Sequence, residues 1–376
     1  MFNCFGNSRR LRTLLLSLIF CGVFVVALVV WVTQPWKAGI NLPYGMQLYQ
    51  KAKDKSVTLF YNTTPRPRIL PTIIPQQAWV RYPDDLLWQG YRLPVLTAQP
   101  HGRLGNVLME YATLYALSRV YNVSAVVHPD MKRDLKYFEN ISLPNMPGPY
   151  NPKDWTVIQS LEKNILNYAP LELAASGLLG PHQFLIKQWP HEIQLFDLVR
   201  DEIRQQFTWN KEIWNTVQTY IRNVGIMLKK KGKTKPVFIG VHVRRTDYIK
   251  FIEQFGGSEM PTTIYFKRAF EYYKNKYKDA FFIISTDDQD YVNQEFKLYK
   301  DDIILTPGMS PQVDMALLTA CNHSVITLGT YSFWTGYLTG GEVLYPDLNF
   351  TNKKYYFAKP FYEGVRLYFK PIPPRR

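Results

Sequence analysis

Between residues 237 and 346, short apolar runs alternate with amphipathic stretches. VFIGVHV (237–243), FFIIS (281–285), DIILT (302–306), SVITL (324–328) and EVLY (342–345) predict strands, each bounded by polar or glycine residues. IYFKRAFEYYKNKY (264–277), QDYVNQEFKLY (289–299), PQVDMALLTAC (311–321) and SFWTGYLTG (332–340) predict the helices between them, the third with proline in its first turn. Strict alternation of this kind implies a parallel sheet covered by helices on both faces. Ligands of such sheets bind at the carboxyl ends of the strands. Arg244 and Arg245, the run Ser285 to Asp288, and the run Gly329 to Ser332 all fall there.

The N-terminal half has a weaker pattern. GRLGN (102–106) predicts a glycine turn that opens a helix, with Leu108, Tyr111, Tyr115 and Ser118 on one face. SAVVH (124–128) predicts a short strand, and the stretch from 150 to 230 reads as mostly helical. Residues 37–95 carry Pro43, Pro65, Pro67, Pro71, Pro75, Pro83 and Pro94 and read as an extended stem. Residues 96–230 and 231–376 then form two catalytic subdomains.

The first residues place the chain at a membrane. Arg9, Arg10 and Arg12 precede a charge-free run over residues 13–36. At about 1.5 Å rise per residue, the apolar stretch from Leu14 to Val32 is long enough to cross the hydrocarbon layer. The flanking arginines predict a cytoplasmic tail at residues 1–12, with everything beyond 36 on the far side. A cleaved signal peptide would need a small-residue cleavage site, and none is evident. Sequons at Asn62, Asn122, Asn140, Asn322 and Asn349 all lie on the far side and are candidate N-glycosylation sites.

Composition narrows the function. The net charge of +15 permits nucleic acid, a membrane surface or an anionic small substrate. The densest basic run, LKKKGKTK (228–235), lacks the interleaved aromatics of a nucleic-acid module and reads as a solvated loop. Nucleic acid is therefore not an expected partner. Hydrophobic residues at 46% are enough for a packed core. Cys321 is the single cysteine beyond the membrane span, so that core must hold the fold without an intrachain disulfide there.

The chemistry concentrates in GVHVRRTDY (240–248). His242 and Arg244 share one face of the strand, Arg245 begins the turn, and Asp247 is placed to fix one guanidinium and leave the other for a ligand. An arginine fork matches phosphate oxygens and keeps its charge at every physiological pH. GRLGN and GTYSFW (329–334) each put small residues where a helix amino end meets a ligand. Tyr331, Phe333 and Trp334 serve either as core or as a stacking surface. Asp288 and Asp290 form a D-x-D pair, which suits either a metal-held diphosphate or a helix N-terminus rich in acid.

Together GRLGN with YATLYALSR, GVHVRRTDY and DMALLTACNHSVITLGTYSFWTGYLTGG (314–341), behind a short tail and single anchor, resemble the galactoside α-1,2-fucosyltransferase family. The likeness spans roughly residues 100–350. It implies an α/β fold of two Rossmann-type domains in a GT-B-like pair behind an N-terminal transmembrane helix, in the Golgi membrane with a lumenal catalytic part. The implied reaction is inverting transfer of L-fucose from GDP-fucose to the 2-hydroxyl of a terminal β-galactose on a glycan, with no metal and no further cofactor. The resemblance places Arg244 on the diphosphate, and His242 and Asp314 near guanine or ribose. It sets Gly102, Gly105 and Asn106 on the donor cleft and Thr330 and Ser332 near the phosphates, with Arg245 and Asp247 as braces. Glu253 is the candidate general base. Glu110 is disfavoured, since the family often has a neutral residue there. Rival readings are another fucosyl linkage, a metal-dependent transferase using Asp288 and Asp290, and a catalytically silent sugar-binding protein.

Overall fold

A computed structural model of the chain describes residues 73–162, 165–348, 350 and 369–373. All of them lie within one compact unit, Lys55–Arg376. The smaller of its two main sheets has four parallel strands: β1 (Val95–Ala98), β2 (Ser124–Ala125), β3 (Thr156–Gln159) and β4 (Gln183–Lys187), in the order β2–β1–β4–β3. The larger has six: β5 (Val237–Val243), β6 (Ala280–Thr286), β7 (Ile303–Leu305), β8 (His323–Val325), β9 (Val343–Pro346) and β10 (Phe369–Ile372). They are parallel throughout and ordered β7–β6–β5–β8–β9–β10. Counted from β5, that is the 3-2-1-4-5-6 order of a dinucleotide-binding sheet. Its topological switch lies between β5 and β8, where Val241 is in register with Val325 on one side and Ile284 on the other.

The helices that matter here are α1 (Leu104–Tyr121), α2 (Ile193–Phe196), α3 (Arg200–Gln206), α4 (Lys211–Lys230), α5 (Thr246–Phe251), α6 (Thr263–Lys276), α7 (Gln289–Glu295), α8 (Pro311–Thr319) and α9 (Thr330–Tyr337). One face of the larger sheet is covered by α6 through Tyr265, Phe266, Ala269, Phe270 and Tyr273, against Ile239, Val241, Phe282 and Ile284. Against the same sheet α8 comes so close that a Cβ on Gly240 would stand 2.8 Å from the Leu318 carbonyl oxygen. Glycine is the residue that permits this approach.

The helix expected after GRLGN is buried on nearly all sides, well beyond the face read from periodicity. The reason is position: it touches α9 and α2 as well as β1, and a helix enclosed all round has no solvent face to keep polar. Three further expectations change. The stretch 150–230, read as mixed and mostly helical, adds β3 and β4 to its helices. The stem does not stay extended to 95. Ile74 is buried, its N–H donates to the Tyr121 hydroxyl, and Trp79 packs on the Tyr121 ring at 5.4 Å. Finally, EVLY, expected to be the last strand, is followed by one more, β10, at the sheet edge. The anchor at 13–36 lies outside the described residues; among those described, no helix is long and apolar enough to cross a membrane.

Candidate active site

The carboxyl ends of β5 and β6 carry a dense ionic network. Arg244 donates through Nη1 to Asp287 at 2.6 Å and through Nη2 to Asp247 at 2.5 Å. Asp287 also accepts from the backbone N–H of Arg245 at 2.8 Å and from the Thr246 hydroxyl. Arg245 contacts Asp288 through Nε at 3.4 Å and lies over the Tyr291 ring at 3.7 Å. The expectation that one of the two arginines stays free is therefore corrected: both are paired, and Asp247 makes a single contact with Arg244. The network is not sealed, because the Arg244 side chain keeps 23% exposure and Asp247 64%. Asp287 was the partner the spacing could not reveal, since it lies 43 residues from Arg244 and meets it only because β6 pairs with β5.

His242 and Ser332 face inward. Nδ1 of His242 lies 2.5 Å from Ser332 Oγ, which is also 3.1 Å from the Thr327 hydroxyl. Both residues are buried, and burial drives the imidazole down to a pKa of about 3. His242 is thus neutral at any physiological pH. His242 and Ser332, expected near the donor, here brace the end of β5 against the first turn of α9.

Two helix amino ends meet beside this brace. Neither Arg103, which caps α1, nor Gly329, which caps α9, offers a side-chain cap, so first-turn N–H groups remain for other partners. The Thr330 hydroxyl donates to Asn106 Oδ1 at 2.6 Å, and the Trp334 indole N–H donates to the Gly105 carbonyl at 3.0 Å. Gly105 does not face a cleft. It is buried against α9, where a Cβ would stand 2.6 Å from the Tyr331 nitrogen. Gly102 is exposed, with φ +90°. Gly329, at φ +95°, leaves room for the Tyr248 hydroxyl, 3.0 Å from where its Cβ would be. Trp334 and Phe333 are core rather than a stacking surface; Trp334 is wedged between Phe196 and Phe207. Carbonyls near the other end of α9 are held by Arg204, which donates to Thr339 at 2.9 Å.

Farther along the same edge, Asp314 is 8% exposed. Its Oδ2 accepts from Ser285 at 3.1 Å, while Oδ1 has no hydrogen-bond partner among the described residues. Burial raises its pKa, and the hydrogen bond from Ser285 pulls it back. A buried acceptor without a donor is costly, so it is a place where a ligand N–H is wanted.

The family follows from comparison with known sequences: the model of glycosyl transferase family 11 matches residues 75–359. The chain belongs to glycosyltransferase family 11. The resemblance carried by the three motifs is thereby established as family membership. Galactoside alpha-(1,2)-fucosyltransferase 1 of Leontocebus fuscicollis is 29% identical over 269 residues, covering 70% of this transferase and 71% of the relative. The protein of the same description from Bos taurus is also 29% identical, covering 70% and 72%. Among solved structures, a variant of Arabidopsis thaliana FUT1 in complex with GDP aligns with TM-score 0.46 and 12% identity, covering 69% and 72% of the two chains.

The other candidates in this transferase are placed as follows. Glu253 is exposed in the π-helical turn Ile252–Gly256 and makes no hydrogen bond or ion pair among the described residues, so the network does not include it. Asp288 accepts from the Tyr291 N–H at 3.0 Å as the cap of α7, while Asp290 is exposed in its first turn. Among the described residues no group of three His, Cys, Asp or Glu could hold a metal ion. Asn122, Asn140 and Asn322 are all exposed; Asn62 and Asn349 lie outside the described residues.

Proposed function

We propose that this transferase moves L-fucose from GDP-fucose to the 2-hydroxyl of a terminal β-galactose, with inversion and without a metal. The observation that carries the reading is the convergence, along one sheet edge at its switch point, of three anion- or base-seeking features: Arg244, the two uncapped helix ends and the unpartnered Asp314 oxygen. The names of the relatives support the galactoside and the α-1,2 linkage.

In this reading guanine N–H groups satisfy Asp314, and the diphosphate lies toward Arg244 and the first turns of α1 and α9. Asp287 keeps Arg244 oriented. Asp247, largely in water, releases Nη2 to a phosphate oxygen at small cost, because exposed ion pairs contribute only about 0.2–1 kcal/mol. The galactose 2-hydroxyl oxygen attacks the anomeric carbon while the C–O bond to GDP breaks; the electron pair of that bond stays with GDP and the hydroxyl proton passes to water. Charge grows on the leaving diphosphate, where preorganised donors stabilise the transition state more than the bound substrate. Residues 13–36 anchor the chain as a type II Golgi protein, 37 onward is lumenal, and 96–230 and 231–376 serve acceptor and donor.

The test is incubation of the full-length chain with GDP-fucose and a terminal β-galactoside, with linkage analysis of the product. The expected product is fucosylated at the 2-hydroxyl, equally well with and without EDTA. Absence of product, or linkage to a different hydroxyl, overturns the reading.

A further inference from the structure

Immediately after β4 come two consecutive non-glycine residues with left-handed backbones, Gln188 at φ 64° and Trp189 at φ 53°. That region is uncommon for any L-residue and an outlier for a bulky one, and such strain survives only where neighbours enforce it. Here Ser160 enforces it, its hydroxyl reaching the Lys187 carbonyl at 3.2 Å and the Gln188 carbonyl. The result is the placement of one indole. Trp189 meets the imidazole of His101 with ring centroids 4.8 Å apart and planes at 84°. His101 is itself fixed, its backbone N–H donating to both carboxyl oxygens of Glu110 at 3.0 and 3.2 Å.

This pair is not core. His101 is exposed and Trp189 half-buried, and among the described residues neither the indole N–H nor the imidazole makes a hydrogen bond. The pair stands at the carboxyl edge of the smaller sheet, where α/β sheets bind ligands, and His101 directly precedes the turn whose Asn106 reaches Thr330. It therefore borders the same seam as the donor-side features.

We propose that Trp189 and His101 form the acceptor subsite, with the indole stacked on the terminal galactose and the imidazole hydrogen-bonded to one of its hydroxyls. The assignment rests on the reading of the acceptor as a β-galactoside. The chemistry fits: the axial 4-hydroxyl of galactose leaves a C–H face on the other side of the ring, and an aromatic face covers it. The hydroxyl rim then needs the polar partners that the indole N–H and imidazole supply.

Calorimetric titration of methyl β-galactoside into the full-length chain saturated with GDP tests this without requiring turnover. Trp189→Ala weakens galactoside binding about tenfold, equivalent to about 1.4 kcal/mol, while Trp189→Phe retains most of it. His101→Ala, at an exposed position, weakens it in the same direction. GDP binding serves as the check on folding. Wild-type affinity in both Trp189→Ala and His101→Ala overturns the subsite, as does a wild-type chain that binds no galactoside. Galactoside binding without fucose transfer leaves the subsite standing and overturns the proposed reaction instead.

Discussion

Thr330 and Asn106 are 224 residues apart in the chain and 2.6 Å apart in space, hydroxyl to amide oxygen. Their bond joins the first turn of α9 to the first turn of α1, and it is possible only because Gly105, between them, has no side chain. Gly105→Ala puts a methyl group 2.6 Å from the Tyr331 nitrogen and 2.9 Å from the Thr330 carbonyl carbon, against backbone that has nowhere to go. The expected cost is about 1–3 kcal/mol of stability, the usual range for overpacking, with a fall in kcat/KM as the two helix ends separate. Thermal unfolding and transfer kinetics check both, and a variant matching wild type in each would show the seam to be looser than described.

Arg244→Ala removes the fork that Asp287 orients. Loss of one preorganised donor costs about 3–4 kcal/mol in barrier, a hundredfold or more in kcat. Arg244→Lys does not restore the rate, because one ammonium cannot hold Asp287 and a phosphate oxygen in fixed directions together. Initial rates at saturating donor measure this; near-wild-type turnover in Arg244→Ala removes the residue from the mechanism.

Glu110 is fully buried, and burial, opposed by the His101 N–H and reinforced by Asp134, pushes its pKa up to about 9. Its folded pKa thus lies above its unfolded value of 4.5. Below the unfolded pKa both states are protonated and the residue is neutral to stability. Above it the unfolded chain releases a proton that the folded chain retains, so stability falls as pH rises toward 9. Glu110→Gln, neutral at every pH and able to keep the His101 bond, is expected to raise Tm at pH 8 by at least ~2 °C and to change it little at acid pH. An equal shift at both pH values would place the effect elsewhere.

Glu253 has no partner among the described residues to orient it. A general base must be positioned within hydrogen-bond reach of the proton it takes. Glu253→Gln is therefore expected to keep the wild-type pH–rate profile, and loss of its acid limb would reinstate the residue as base.

The order in which these residues became legible has a physical pattern. Strands β5 and β6 could be read from the chain alone, because parallel strands covered on both faces are near-continuous apolar runs. Strand β3 could not: Thr156, Val157 and Gln159 are exposed at the sheet edge, and only Ile158 is buried, so no apolar run marks it. The motif residues were likewise visible, but their partners were not. GVHVRRTDY announces two arginines at a strand end; which carboxylates receive them depends on β6 lying beside β5.

The amino-acid sequence by itself determined the alternation of strand and helix beyond residue 237, the parallel sheet that follows from it, and the family, since each is written in local periodicity or in contiguous motifs. Tertiary structure alone decided that Arg244 is paired twice, that His242 and Ser332 turn inward, that Gly105 is a contact between helices, and that Trp189 stands over His101. Periodicity tells which face of an element is buried. What a buried group touches is settled by the order of strands and the crossing of helices, which bring together residues that no spacing along the chain connects.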